Sequence, residues 1–367
     1  MEYYILDHYP EDIEVIPFFP LQGRNYIKKH DKVYYNYSSN YVSNYSSNYS
    51  SNDVNVNLYI FDITKDNPEK IIANILEIIN FVKTSYSLET QRLKSFTLDL
   101  YLTPLLKTLP SKNQKLTREM KIVNSIITDK FKDKLKKFDY NKIERTINKM
   151  NINSGVTEHS TSKITIWRKS EWDKVLIHEL LHLWKLEKYH TLEIPKTIGI
   201  SENYPRLPVE LFCELQTWYL YCLYNKSNFY EEVEYSLFNL AKILNVFDIE
   251  YFNDFYECRT IINIKCSVEF YFIFKAMILY GIFLMPHGNN NTHGNSNNNK
   301  QLMWIIDTTA NTNTNNTDTS NHIINKLVHD VAYDKMFNDK INNYLRNLKY
   351  SFNNDNYIYF MRKRIIK

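Results

Sequence analysis

Val175-Leu-Ile-His-Glu-Leu-Leu-His-Leu-Trp184 contains a complete HExxH motif, with His178, Glu179 and His182 in its fixed positions. On a helix, positions i and i+4 lie one turn apart on the same face, so both imidazoles can reach one metal ion. Glu179 stands beside them, close enough to hold a metal-bound water without ligating the metal. Such a set binds zinc and activates water for peptide-bond hydrolysis. With 10 histidines in 367 residues, chance would produce the motif on the order of once in a hundred such chains. Val175, Leu176 and Ile177 before it and Leu180 and Leu181 within it are apolar, and neither Pro nor Gly interrupts the run. The blander reading is an amphipathic helix whose histidines bond only their neighbours. Against it, each buried polar group costs a few kcal/mol if left unpaired.

Working outward, Ser170-Glu-Trp-Asp173 reads as a capping box, Ser170 being the N-cap and Asp173 the N3 residue. The helix is expected to run to about Lys188. Before it, Lys163-Ile-Thr-Ile-Trp167 alternates and is rich in β-branched residues, which predicts a strand. This order of strand, short turn and metal-binding helix resembles the entry to a zincin active site.

A catalytic zinc needs a third protein ligand and one position left for water. The pattern HExxHxxGxxH fails, because Lys185 and Lys188 stand where Gly and His are required, and His190 comes two residues too late. A downstream Glu remains, with Glu202, Glu210 and Glu214 available. Pro205 and Pro208 follow Glu202 closely and argue for a loop there. Glu210 and Glu214 fall in Pro208-Val-Glu-Leu-Phe-Cys-Glu-Leu-Gln-Thr-Trp-Tyr-Leu-Tyr-Cys222, a predicted helix with Pro208 in its first turn. Their i, i+4 spacing projects both carboxylates from one face of an apolar segment. An acidic stripe at a helix N-terminus is the alternative.

Glu210-Leu-Phe-Cys-Glu214 resembles the second zinc helix of gluzincins, particularly lethal-factor-type metallopeptidases. The resemblance covers about residues 164–220. It implies that Glu210 ligates zinc and that Glu214 orients a zinc-binding histidine, fixing its tautomer and raising its basicity. The same family has a Tyr just upstream of this helix that hydrogen-bonds the reacting carbonyl. Tyr204-Pro-Arg206 occupies roughly that place, one residue off the family spacing.

Composition narrows the classes. At 44.1 kDa the chain suits a two-lobed domain or two small ones. A net charge of +4 is too modest to argue for nucleic acid. Cys213, Cys222, Cys258 and Cys266 form no CxxC pair, which fits free thiols in a reducing compartment. The first residues show neither the basic region nor the apolar run of a signal peptide, so a cytoplasmic location is expected. Val268–Met285 is the most apolar stretch, yet it carries Glu269 and Lys275 and reads as a buried helix rather than a membrane span.

Three Asn-rich segments, 36–57, 288–299 and 308–321, have almost no core-forming residues and are expected to be insertions or linkers. Between them, strands are predicted at 58–63 and 96–102, and helices at 69–86, 121–137, 140–150, 230–247, 268–285 and 323–348. Asn153-Ser-Gly-Val-Thr157 reads first as a surface turn, with a substrate-pairing edge strand near the cleft as the other possibility. His159 reads as a solvated loop histidine, with an oxyanion role as the less favoured reading.

The expectation is therefore an α+β, zincin-like fold. An arm (1–57) precedes a mixed α/β lobe (58–189) that ends in the HExxH helix, and a helical lobe (190–367) follows. Zn2+ would sit on His178, His182 and Glu210, with Glu179 as base, Tyr204 or Arg206 at the oxyanion, and Glu214 behind a histidine. The partner would be a peptide or protein substrate, with no nucleic acid and no membrane span. The alternatives are a catalytically silent zincin and a metal-free helical interaction protein with a Tyr-rich surface.

Overall fold

The computed structural model describes residues 2–6, 13, 19–41, 52–62, 66–88, 95–109, 152–186, 207–247, 249–256, 267–285 and 315–350. Its strands are β1 (Glu2–Leu6), β2 (Lys32–Tyr41), β3 (Asn52–Ile60), β4 (Phe96–Thr103), β5 (Gly155–Glu158) and β6 (Lys163–Arg168). Helices α1 (Leu21–Lys29), α2 (Pro68–Ser85) and α3 (Trp172–Leu183) accompany them. A helical part follows: α4 (Leu207–Tyr224), α5 (Phe229–Val246), α6 (Phe252–Tyr256), α7 (Ser267–Phe283), α8 (Asn315–Tyr333) and α9 (Lys335–Tyr350). The fold is α+β.

The strands form one mixed sheet in the order β1-β2-β3-β4-β6-β5. The pairs β1–β2, β2–β3 and β5–β6 are antiparallel, whereas β3–β4 and β4–β6 are parallel. A parallel pair needs a crossover, and α2 supplies the one between β3 and β4. Alternation sorts the side chains into two faces. Val56, Leu58, Leu98, Leu100, Ile164 and Ile166 bury one face beneath α2 and α3. The other carries a stacked Tyr59–Tyr101 pair, 4.3 Å between centroids, and Trp167 against Phe19. Beside these aromatics runs a polar row. The Asn57 amide donates to Asp99 at 2.7 Å, and Lys163 closes the row with an ion pair to Asp99 at 2.7 Å.

A second core fills the helical part, built on Trp218, Leu237, Phe274, Val328 and Phe337 among others. Helix α4 joins the two cores, since Leu211, Phe212 and Leu215 face the helices while Cys213 and Leu220 face the layer under the sheet. A helix apolar on every side belongs in an interior. So does α7, and among the described residues no helix is long and apolar enough to cross a membrane.

Several expectations change. Residues 36–41 and 52–57 are not linker: they lie in β2 and β3, paired out to Tyr41 opposite Asn52. Helix α8 likewise begins at Asn315, inside the third Asn-rich segment. The single helix expected over 323–348 is two, broken at Asp334, whose carboxylate accepts the Phe337 amide at 2.7 Å and caps α9. The helices expected at 121–137 and 140–150 and the segment 288–299 lie outside the described residues.

The loop after β4 buries Lys107 completely, its ammonium 3.0 Å from Glu171 just before α3. Burial pushes this ammonium down to about 7, with the Glu171 charge opposing, against 10.5 for the free side chain. Between those values the unfolded chain holds a proton that the folded chain has lost, so stability rises with pH. Relative to Lys107→Met, the wild type should gain about 1.4 kcal/mol per pH unit over that window in urea unfolding. A constant gap between the two chains would refute this account of Lys107.

Candidate metal centre

Helix α3 does not begin with the expected cap. Its N-cap is Glu171, held in the left-handed region at φ 62 and making no side-chain cap bond. The Glu171 carboxylate is engaged by Lys107 instead. Ser170 Oγ has no hydrogen-bond partner among the described residues. Asp173 turns to α4, accepting from Tyr221 Oη at 2.9 Å. The far end is abrupt too. Lys185 takes φ 54, and the amides of Lys185 and Leu186 bond back to His182 and Leu181 at 3.0 and 2.8 Å. That Schellman closure ends the helix at Leu183, short of the expected Lys188, and leaves His182 in the last turn.

The two histidines meet as their spacing requires, with His178 Nε2 3.1 Å from His182 Nε2. From α4, Glu210 Oε2 approaches both, at 3.5 Å from His178 Nε2 and 3.6 Å from His182 Nε2. In the plane of these three atoms, the equidistant point lies about 2.0 Å from each, within reach of zinc bond lengths to imidazole and carboxylate. Two nitrogens and one oxygen also form a donor set suited to that ion, so the residues fit it.

Cys213 is the competitor, buried completely on the same face of α4 one turn after Glu210. Its Sγ lies 3.7 Å from Nδ1 and 3.9 Å from Nε2 of His178, and with the two histidines it forms a second possible metal-holding group. Glu210 stands equally before both Nε2 atoms, and Cys213 also reaches both histidines. Sulfur lies alongside the His178 ring, nearer the nitrogen turned toward Glu214.

The electrostatics favour a cation here. Burial opposes charge on His178, yet Cys213, Glu210 and Glu214 outweigh it and raise the imidazole well above its usual value. Burial likewise works against ionised Glu210, and the two histidines overcome it, holding the carboxyl well below the usual range.

Glu214 lies behind His178, Oε2 being 3.6 Å from Nδ1, with Thr217 Oγ1 at 3.4 Å from the same nitrogen. Sequence reasoning missed what else holds it. Lys174 Nζ stands 2.6 Å from both carboxylate oxygens and Lys275 Nζ 2.9 Å from Oε1, all three side chains being buried.

Glu179 is buried against the edge strand β5. Thr157 Oγ1 donates to its Oε2 at 2.8 Å. Gly155 passes so close that a Cβ there would stand 2.9 Å from Glu179 Oε1 and 2.7 Å from Val175 Cγ1. The stretch that read first as a surface turn is thus an edge strand touching the motif glutamate. No sequence pattern marked Thr157 as its partner. His159 is exposed in the turn that follows β5. Tyr204, Arg206 and Glu202 lie outside the described residues.

Comparison of the chain with protein-family models, with characterised proteins and with solved structures found no match.

The two glutamates should respond differently to removal. Glu210 is 35% exposed, so Glu210→Ala is expected to leave the metal-free fold intact and abolish stoichiometric zinc binding. Glu214→Ala strands two buried ammonium groups and should cost about 3–5 kcal/mol of metal-free stability. Glu202→Ala should resemble the wild type in both respects. Equilibrium dialysis with zinc and urea unfolding of the stripped chains measure the pair. The assignment fails if Glu210→Ala keeps its zinc.

Proposed function

We propose that the protein is a zinc-dependent metallopeptidase of gluzincin type, with His178, His182 and Glu210 holding the metal. The observation that carries this reading is the meeting of three donor atoms from two helices at distances a single zinc ion can span. The α+β architecture, with an antiparallel edge strand beside the HExxH helix, supports a zincin-like fold. When bound, the ion supplies a Lewis acid that acidifies a water and polarises a carbonyl.

The chain's own residues provide the rest. Glu179 accepts a proton from the attacking water at its carboxylate and then delivers it to the departing amine. Thr157, donating to Oε2, fixes the carboxylate, and the absent side chain at Gly155 leaves it room. Strand β5 pairs with β6 along one edge only among the described residues, so an extended peptide can add to its other edge through backbone bonds. Tyr204 and Arg206 are the groups proposed for the oxyanion.

Cys213 favours a second reading, a catalytically silent zincin. Its thiolate, added to the other three donors, would close the site with four protein ligands, as structural zinc sites are closed. Cobalt replacing zinc separates the two. The open site should lack a sulfur-to-cobalt charge-transfer band, and its spectrum should be unchanged in Cys213→Ala. A thiolate band that disappears in Cys213→Ala would establish the closed site.

For catalysis, Glu179→Gln is expected to keep one zinc and lose peptide hydrolysis, because a nearly isosteric amide cannot take the proton. Thr157→Val should fall between, retaining zinc while kcat/KM drops about 10–100-fold, the usual loss for a group that orients an active side chain. Peptide-library cleavage with parallel metal analysis tests both. Loss of zinc from Glu179→Gln would make Glu179 structural and end the proposed mechanism.

A further inference from the structure

Lys174, Glu214 and Lys275 come from α3, α4 and α7 and meet at 2.6 to 2.9 Å with their side chains at most 1% exposed. Such a cluster is a poor way to stabilise a fold. Desolvating buried charges offsets most of what their attraction returns, and apolar replacements of similar volume are often neutral or better. Lys275 carries its charge from the apolar helix α7, with its ammonium 5.3 Å from the Phe272 ring centre, and that placement calls for a role other than packing.

Its location indicates the role. Lys174 stands one turn before His178 on α3, and Glu214 stands one turn after Glu210 on α4. The ion pair is therefore a second rung beside the donor rung, joining the same two helices. The rung matters because α4 presents two chemically identical carboxylates one turn apart. A slip of α4 by one turn would bring Glu214, not Glu210, before the histidines. Two ammonium groups on Glu214 forbid that slip and keep its Oε2 beside Nδ1 of His178.

We infer that Lys174 and Lys275 are positioning residues for the metal centre, locking Glu214 behind His178 and so selecting Glu210 as the donor. The inference rests on the zinc reading above.

Lys275→Met is the informative variant, because it leaves the Lys174–Glu214 pair charge-balanced and places an apolar chain in an apolar helix. Electrostatics alone predicts that removing a nearby positive charge tightens zinc binding. Positioning predicts the opposite, a loss of about 10-fold, at the low end for groups that orient a ligand. Zinc affinity by chelator competition and thermal unfolding of the metal-free chain are measured together. The expected result is weaker zinc binding at an unchanged metal-free Tm. Affinity that is equal or higher overturns the inference. If Lys275→Met does not fold, the triple variant Lys174→Met, Glu214→Leu, Lys275→Met is read in its place, an apolar cluster being compatible with folding. It should fold and bind zinc 10- to 100-fold more weakly. Unchanged zinc binding there, or failure of that chain to fold as well, makes the cluster purely structural and overturns the inference. Wild-type protein that binds no zinc would refute the metal centre itself, a result distinct from any of these.

Discussion

Helix α3 packs on α4 through groups that water would otherwise solvate, and that contact constrains the rest of the molecule. Two imidazoles, three carboxylates (Asp173, Glu210 and Glu214), a thiol, a phenol and an ammonium share the seam, where each is costly unless its neighbours answer it. The neighbours are supplied from three directions. β5 brings Thr157 to Glu179, α7 brings Lys275 to Glu214, and the loop after β4 brings Lys107 to Glu171. The sheet and the helical core are thus two apolar supports for one polar seam. Helix α4 belongs to both because it must present Glu210 and Glu214 to α3 while burying its remaining faces.

The parts of this arrangement that follow a period were legible in the sequence. The i, i+4 spacing of His178 and His182 placed them together, and the alternation of Phe96, Leu98, Leu100 and Leu102 marked the central strand with its buried face. Pro208 marked the first turn of the helix that carries Glu210. Low β-propensity hid residues 36–41 of β2 and 52–57 of β3, since Asn and Ser are ordinarily depleted in strands and only pairing across the sheet overrides that tendency. The ends of α3 depart from the sequence expectation for a related reason. Ser170 is a good cap by composition, but the buried Lys107 claims Glu171 and moves the start of the helix. Lys185 adopts a left-handed conformation that its residue type does not announce.

Long-range polar partners were the hardest to read. Lys174 looks like an ordinary first-turn charge and Lys275 like an interruption in an apolar run, and neither carries a spacing that points to Glu214. Their partnership is 40 and 61 residues distant along the chain and is created by tertiary packing alone. Thr157 and Gly155 are similar, being 22 and 24 residues from Glu179 and brought to it by the antiparallel turn into β6.

Those separations bear on how the protein comes to exist. Helix α3 can form its own turns early, and the histidine pair with them, because those contacts are local. The pairing of β4 with β6 and the arrival of α4 and α7 each require closing a long stretch of chain before any contact repays the entropy. During synthesis the histidines leave the ribosome well before Lys275, so the nascent chain offers two imidazoles without the cluster that orders the carboxylates opposite them. A fragment ending before α7 would retain the motif and the candidate ligands but lack one of the two cations that hold Glu214 in place.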